Sequence, residues 1–252
     1  MAFTATIERN IWSTRVVLGE YDVRGTLVLG ERIALVWDTL AHPRDMRTYL
    51  PFIGRRELVI VYSHADWDHI WGTAGLPYTG ARIVGHQHCR ERFDGDVPDV
   101  LAKKQAEEPG QWDDVVLVPP GETFVEEHCV DLGGLTLALS HLPGHTRDCI
   151  VGFVAERGLL LVGDTAETPC PVVPPEAPLD EWIAALRRWE TDERVRSVVP
   201  AHGPIGGREI LTRNIAYLEG LRSGHPIEPT GPLTPFYRDT HAKNVEGRAV
   251  SS

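Results

Sequence analysis

A chain of 252 residues with 42% apolar content can bury one large core and fits one domain better than two. Its formal net charge of −11 counts against sequence-independent nucleic-acid binding, which rests on lysines and arginines neutralising phosphate, so no nucleic-acid partner is expected. No stretch approaches the roughly 18 apolar residues of a membrane helix, and the first residues lack a basic segment followed by an apolar run; no membrane partner and a cytoplasmic location are expected.

Short β-branched runs alternate with segments of helical period, the rhythm of an α/β protein. Residues 15–19, 26–30 and 33–38 are apolar runs separated by glycine and charge, which predicts an antiparallel meander. A helix is expected over residues 43–53, followed by a buried strand, ELVIVYSH, running into His64. Further strands are predicted at 82–85, 135–142, 149–155, 159–163 and 197–202, several ending at a residue able to bind metal. In the segment 179–190, Trp182, Ile183, Leu186 and Trp189 form an apolar stripe, with Asp180 placed to cap the helix start. The proline-rich stretch 169–178 predicts an irregular loop bordering the mouth of a site. Residues 224–252 carry prolines, glycines and charges with little periodicity, which predicts a loosely ordered extension behind a single domain of residues 1–223.

Cys89, Cys129, Cys149 and Cys170 lie far apart without a CxxC pair and read as reduced thiols. Cys170 follows Asp164 closely and is kept as an alternative ligand, because a thiolate can bind metal.

The chemistry is concentrated in Ser63-His64-Ala65-Asp66-Trp67-Asp68-His69, where four residues able to bind metal fall within six positions. A turn at the end of an apolar strand lets such side chains converge on one point. The plainer alternative is an exposed polar turn whose carboxylates cap a helix beginning near His69. Three further donors follow in loops after apolar strands: His145 in LPGHT, Asp164 in LLLVGDT and His202 in VVPAHGP.

These four motifs in this order, over residues 15–210, resemble the metallo-β-lactamase superfamily. The resemblance implies a four-layer αβ/βα sandwich, two mixed β-sheets face to face with helices outside and the metals at one edge. It implies that His64, Asp66 and His145 hold a first metal, that Asp68, His69 and His202 hold a second, and that Asp164 bridges them. It further implies a metal-dependent hydrolase with an activated water as nucleophile and Asp68 as its catalytic proton acceptor, acting on a small-molecule ester, lactone, thioester or phosphoester. The implied cofactors are two divalent metal ions, zinc first. Substrate identity and oligomeric state stay open.

One position departs from the family pattern, which has a second histidine where this chain has Asp66. Two divalent ions facing three carboxylates carry a net charge of about +1, where two carboxylates leave about +2, so a bound water is less acidic. The added oxygen ligand also tilts the first site from zinc towards iron or manganese. A carboxylate here resembles the flavodiiron branch, which makes an iron-dependent oxidoreductase the rival class, although those proteins carry a flavin domain for which no room follows residue 210. Other readings are that Asp66 does not bind and a single metal rests on Asp68, His69 and His202, or that the chain binds metal without turnover.

Trp67 and Trp71 flank the metal motif and read as an apolar substrate wall or as core anchors. Arg147, two residues after His145, is a candidate anion contact. His86, with His88 in GHQHC, is a candidate substrate contact or part of a solvated helix start; His141 reads as packed or hydrogen-bonded.

Overall fold

The computed structural model describes residues 2–231 and 233–249. Strands β1 (Phe3–Glu8), β2 (Ile11–Leu18), β3 (Tyr21–Leu29) and β4 (Ile33–Trp37) form an antiparallel meander, which β5 (Glu57–Val61), β6 (Arg82–His86) and β7 (Glu122–Phe124) continue in parallel as one seven-stranded sheet. The second sheet has five strands in the order β12 (Ser197–Pro200), β11 (Leu159–Gly163), β10 (Ile150–Val154), β9 (Thr136–His141) and β8 (Glu127–Asp131). It is antiparallel except where β11 meets β12.

Successive side chains of a strand point to opposite faces, and here both faces are covered. Val59 and Val61 of β5 meet Leu159, Leu161 and Ile150 of the second sheet in a core between the sheets. Leu58, Ile60 and Tyr62 point the other way, into a second core. That core lies under α1 (Pro43–Met46), α2 (Leu50–Ile53), α3 (Trp67–Ile70), α4 (Gln87–Phe93) and α5 (Asp96–Glu107). Leu160 and Val162 of β11 face a third core, beneath α6 (Leu179–Thr191), α7 (Glu209–Arg222) and α8 (Pro235–Ala249). Burial on both faces explains why these strands read as unbroken apolar runs. The result is the four-layer αβ/βα sandwich, two mixed sheets flanked by helices.

Three local expectations are corrected. The helix over 43–53 is broken by a 3₁₀ turn at Arg47–Tyr49. Asp180 does not cap α6: Pro178 holds that position and the Asp180 carboxylate pairs with Arg222 at 2.8 Å. The tail beyond residue 224 is not a loose extension throughout, because α8 packs Tyr237, Thr240 and Asn244 into the protein. Asn244 Nδ2 donates to the Pro171 carbonyl at 2.8 Å, and its Oδ1 accepts from the Val173 amide at 2.9 Å. A helix docked through so few positions leaves almost no apolar stripe for a sequence to show. Pro232 and residues 250–252 lie outside the described residues. No described helix is long and apolar enough to cross a membrane.

Candidate metal centre

The donors gather at one edge of the sandwich, where strands of both sheets end. His64 follows β5, His145 follows β9, Asp164 follows β11 and His202 follows β12. Asp66 precedes α3, and the first turn of that helix brings Asp68 and His69 back toward the strand ends. Two glycines set the approach. A Cβ on Gly163 would lie 2.8 Å from Ser63, and one on Gly144 would lie 2.3 Å from the Trp182 ring, so neither Asp164 nor His145 could follow a larger residue without moving its loop.

Four overlapping donor groups are found among the described residues, and two of them match the triads that the resemblance implies. His64, Asp66 and His145 form one, with His145 Nε2 3.2 Å and His64 Nε2 3.5 Å from Asp66 Oδ2. Asp68, His69 and His202 form the other. Asp164 lies between them: its Oδ2 is 3.1 Å from His202 Nε2 and 3.7 Å from both His64 and His145, and its Oδ1 is 3.3 Å from His69 Nε2. The structure thus brings all seven predicted donors together, but the groups overlap: His64, His69 and Asp164 also form one, as do His145, Asp164 and Glu167.

All four imidazoles are held by Nδ1, which leaves Nε2 facing inward. His145 Nδ1 donates to the Val172 carbonyl at 3.1 Å and His202 Nδ1 to the Asp22 carbonyl at 2.5 Å. His69 Nδ1 donates to Asp38 Oδ2 at 3.0 Å. Ser63 donates its hydroxyl to the same Asp38 oxygen at 2.8 Å and therefore accepts from His64 Nδ1 at 3.0 Å. Asp38 consequently orients one histidine of each group, directly and through Ser63; outer partners of this kind fix the tautomer of a metal-binding imidazole. Asp38 is fully buried, and its backbone sits at φ 58°, a left-handed conformation that aspartate tolerates better than most residues.

The residues fit a metal on two counts. The Nε2 atoms of His64 and His69 and Oδ1 of Asp164 are buried without a hydrogen-bond partner, a state native proteins rarely leave uncompensated. The donor set is also a strong cation trap. Burial alone would raise the Asp66 and Asp164 carboxyls, yet the surrounding histidines hold both well below the ordinary aspartate range. Burial would likewise lower the imidazoles, but the carboxylates outweigh it and raise His145 to about 9 and His202 to about 10.

Asp66 is balanced by a residue that the sequence reading missed. Arg92 of α4 places Nη1 2.8 Å from Asp66 Oδ1 and 3.3 Å from Asp148 Oδ1, while Asp148 Oδ2 accepts from the Ala65 amide at 2.8 Å. The guanidinium is shared among Asp66, Asp96 and the buried Asp148, so it offsets only part of the charge that the extra carboxylate adds.

Residues 19–206 match the model of the metallo-beta-lactamase superfamily. The chain belongs to the metallo-β-lactamase superfamily. Its fold is similar to that of a metallo-beta-lactamase from Pontibacter korlensis (TM-score 0.68, 20% identity, 87% of this chain and 99% of that chain). It is also similar to FIM-1 from Pseudomonas aeruginosa, solved in a mono-zinc form (TM-score 0.67, 19% identity, 86% of this chain and 95% of that chain). A curated protein of Aspergillus versicolor named "Putative transcription factor avaE" is 28% identical over 143 residues, 52% of this chain; the match spans only 40% of that protein's length.

In this superfamily member a cavity of about 210 Å³ opens onto the centre. Its walls include Asp66, Asp68, Asp164, Trp67 and Val172 of the proline-rich loop. They also include three residues absent from the sequence reading. Tyr21, beside the β2–β3 turn, packs edge-on against His202 at 5.3 Å and stacks on Phe236 of α8 at 4.6 Å. Glu167 is buried within reach of His145 and Asp164, and burial together with the Asp164 charge pushes its carboxyl up to about 7.

The predicted substrate contacts separate. Trp67 lines the cavity. Trp71 is fully buried in the core beneath α3 and is a packing residue, not a wall. His86 is also buried and both ring nitrogens are taken: Nδ1 accepts from the His88 amide at 3.1 Å and Nε2 donates to the Val125 carbonyl at 2.8 Å. It therefore has no edge to offer a substrate. Arg147 is absent from this cavity's walls; it lines a neighbouring groove and pairs with Glu91 at 3.0 Å. Cys170 sits in the core under α6 and α7, where burial pushes its thiol up to about 12, and it belongs to no donor group among the described residues.

Proposed function

We propose that this chain is a metal-dependent hydrolase of a small ester, lactone, thioester or phosphoester, holding two divalent ions, zinc first. The observation that carries the reading is the set of four histidines presenting Nε2 to two donor groups that share Asp164. His64, Asp66 and His145 would hold one ion, Asp68, His69 and His202 the other. When bound, such ions supply Lewis acidity and make water a competent nucleophile near neutral pH. The chain's own residues do the rest. Asp68 faces the cavity and is the carboxylate we assign to accept the nucleophile's proton, with Tyr21 beside it in the same wall. Trp67, Val172 and Phe236 supply apolar walls that exclude water around the scissile group. Zinc suits the four imidazoles, and the FIM-1 structure is of a zinc form.

The test couples elemental analysis of protein purified without added metal to a hydrolysis panel. About two zinc per chain and turnover of at least one ester, lactone, thioester or phosphoester are expected, with Asp164→Ala folded by circular dichroism but inactive. About two iron with a redox-active spectrum and no hydrolysis would overturn the reading in favour of the oxidoreductase. Metal bound without turnover of any panel member would leave a binding protein.

A further inference from the structure

The cavity over the centre is small. At about 210 Å³ it holds roughly seven waters' worth of liquid, enough for a reacting group and little more, so the body of any substrate must lie in an adjoining space. Tyr21 and Trp67 line this cavity and also a larger groove of about 880 Å³, so the two adjoin at these side chains.

The groove has a defined chemistry. His42 stacks on Trp112 with ring centres 4.3 Å apart and planes 2° from parallel, and Trp112 meets Trp67 edge-on at 5.4 Å. Lys104 of α5 lies over this aromatic corner, its Nζ 3.9 Å from the centre of the Trp67 ring. Arg44 lines the same groove, and neither cation is in an ion pair among the described residues. Of the acidic residues there, Glu108 accepts from the Trp112 Nε1–H at 3.0 Å, and the buried Asp45 makes no ion pair with either cation among the described residues. Two cations without carboxylate partners stand out in a chain of net charge −11. The other neighbouring groove, of about 440 Å³, offers no such pair, since Arg92 is held by Asp66, Asp96 and Asp148, and Arg147 by Glu91.

We propose that this groove is the subsite for the substrate body, and that it selects an apolar or aromatic body bearing one anionic group. The body lies along Trp67, Tyr21 and Val17, with the buried Trp112–His42 stack as the floor beneath, the anion reaches Lys104 and Arg44, and the scissile carbonyl or phosphoryl enters the small cavity; the assignment rests on the hydrolase reading for what happens there. Aromatic faces contribute area and stacking, and a half-buried cation contributes a charge-assisted hydrogen bond.

The test uses the metal-loaded full chain and two probes quenching tryptophan fluorescence: 8-anilinonaphthalene-1-sulfonate and the uncharged N-phenyl-1-naphthylamine. In the Lys104→Gln/Arg44→Gln variant, affinity for the sulfonate is expected to fall about tenfold relative to the neutral probe, the low end for one charge-assisted hydrogen bond. The kcat/KM ratio of the 4-nitrophenyl half-ester of adipate to 4-nitrophenyl hexanoate should fall by a similar factor. An unchanged preference in both assays, or one lost in Arg147→Gln instead, overturns the proposal. Sulfonate discrimination that follows Lys104 and Arg44 without hydrolysis of either ester would keep the subsite and remove the hydrolase reading.

Discussion

Arg92 lies 2.8 Å from one oxygen of Asp66, while the other oxygen of that carboxylate faces His145 at 3.2 Å and His64 at 3.5 Å. The carboxylate is therefore shared between an internal cation and a donor group, and its aim depends on α4. Arg92→Leu should lower affinity at the first metal site about tenfold to a hundredfold, the usual cost of losing an outer partner. Asp66→His, which restores the family residue, should depend on Arg92 in turn. In a double-mutant cycle the two changes should be strongly non-additive, as read by metal equivalents retained after dialysis against a chromophoric chelator; additivity would show that Arg92 does not position Asp66.

Asp38 accepts from His69 and from Ser63, which in turn accepts from His64. Asp38→Asn keeps a side chain that tolerates the left-handed backbone but replaces one acceptor oxygen by a donor. Both metal sites should weaken together by about tenfold or more, measured by competition titration. Weakening of one site alone would mean that Ser63 carries no orienting role.

Asn244 bridges α8 to the loop that forms one wall of the cavity. Asn244→Ala leaves the Val173 amide and the Pro171 carbonyl without this partner, at a cost of about 1–3 kcal/mol in denaturant unfolding. Amide exchange at Val173 should accelerate in the variant; unchanged protection there would show that the loop is held by other contacts.

His86 gives the molecule an acid-sensitive core. Burial, reinforced by the neighbouring His141, lowers its pKa from 6.5 to about 4. The unfolded chain takes up a proton below about pH 6.5 and the folded one only near 4, so this group's contribution is intact above 6.5 and is lost as pH falls to about 4. The loss is on the order of 2–3 kcal/mol. His86→Gln should flatten that part of the stability profile; a curve parallel to the parent's would assign the acid limb to other groups.

The seven donors were legible because each sits in a short local pattern directly after an apolar run, where strand-end chemistry is compressed into a few residues. The runs gave an alternation of strands and helices, and the four-layer sandwich came with the resemblance that the motifs carry. Arg92, Asp38, Tyr21 and Phe236 were not legible, since each reaches the centre through tertiary packing across tens of residues or more and looks ordinary in its own segment; Glu167, three residues after Asp164, was a local signal passed over. Trp71 and His86 failed in the opposite direction. Proximity in sequence to the metal motif or to another histidine did not reveal that one ring would fill the core and the other would spend both nitrogens on backbone. Strands β7 and β8 were missed because their mixed, partly exposed residues carry little apolar signal.

His64, Asp66, Asp68 and His69 extend from the seven-stranded sheet, whereas His145, Asp164 and His202 extend from the five-stranded one. The centre is thus a clasp across the seam of the sandwich, and ions seated there would add to the apolar contact and to the hydrogen bonds, such as His202 to the Asp22 carbonyl and the Ala65 amide to Asp148, that already join the two halves. Folding and loading then become one equilibrium, in which every tenfold rise in free metal above the dissociation constant adds about 1.4 kcal/mol per site. In a cell, how long a molecule survives proteolysis would track the local supply of the ion, making the lifetime of the chain a gauge of metal availability.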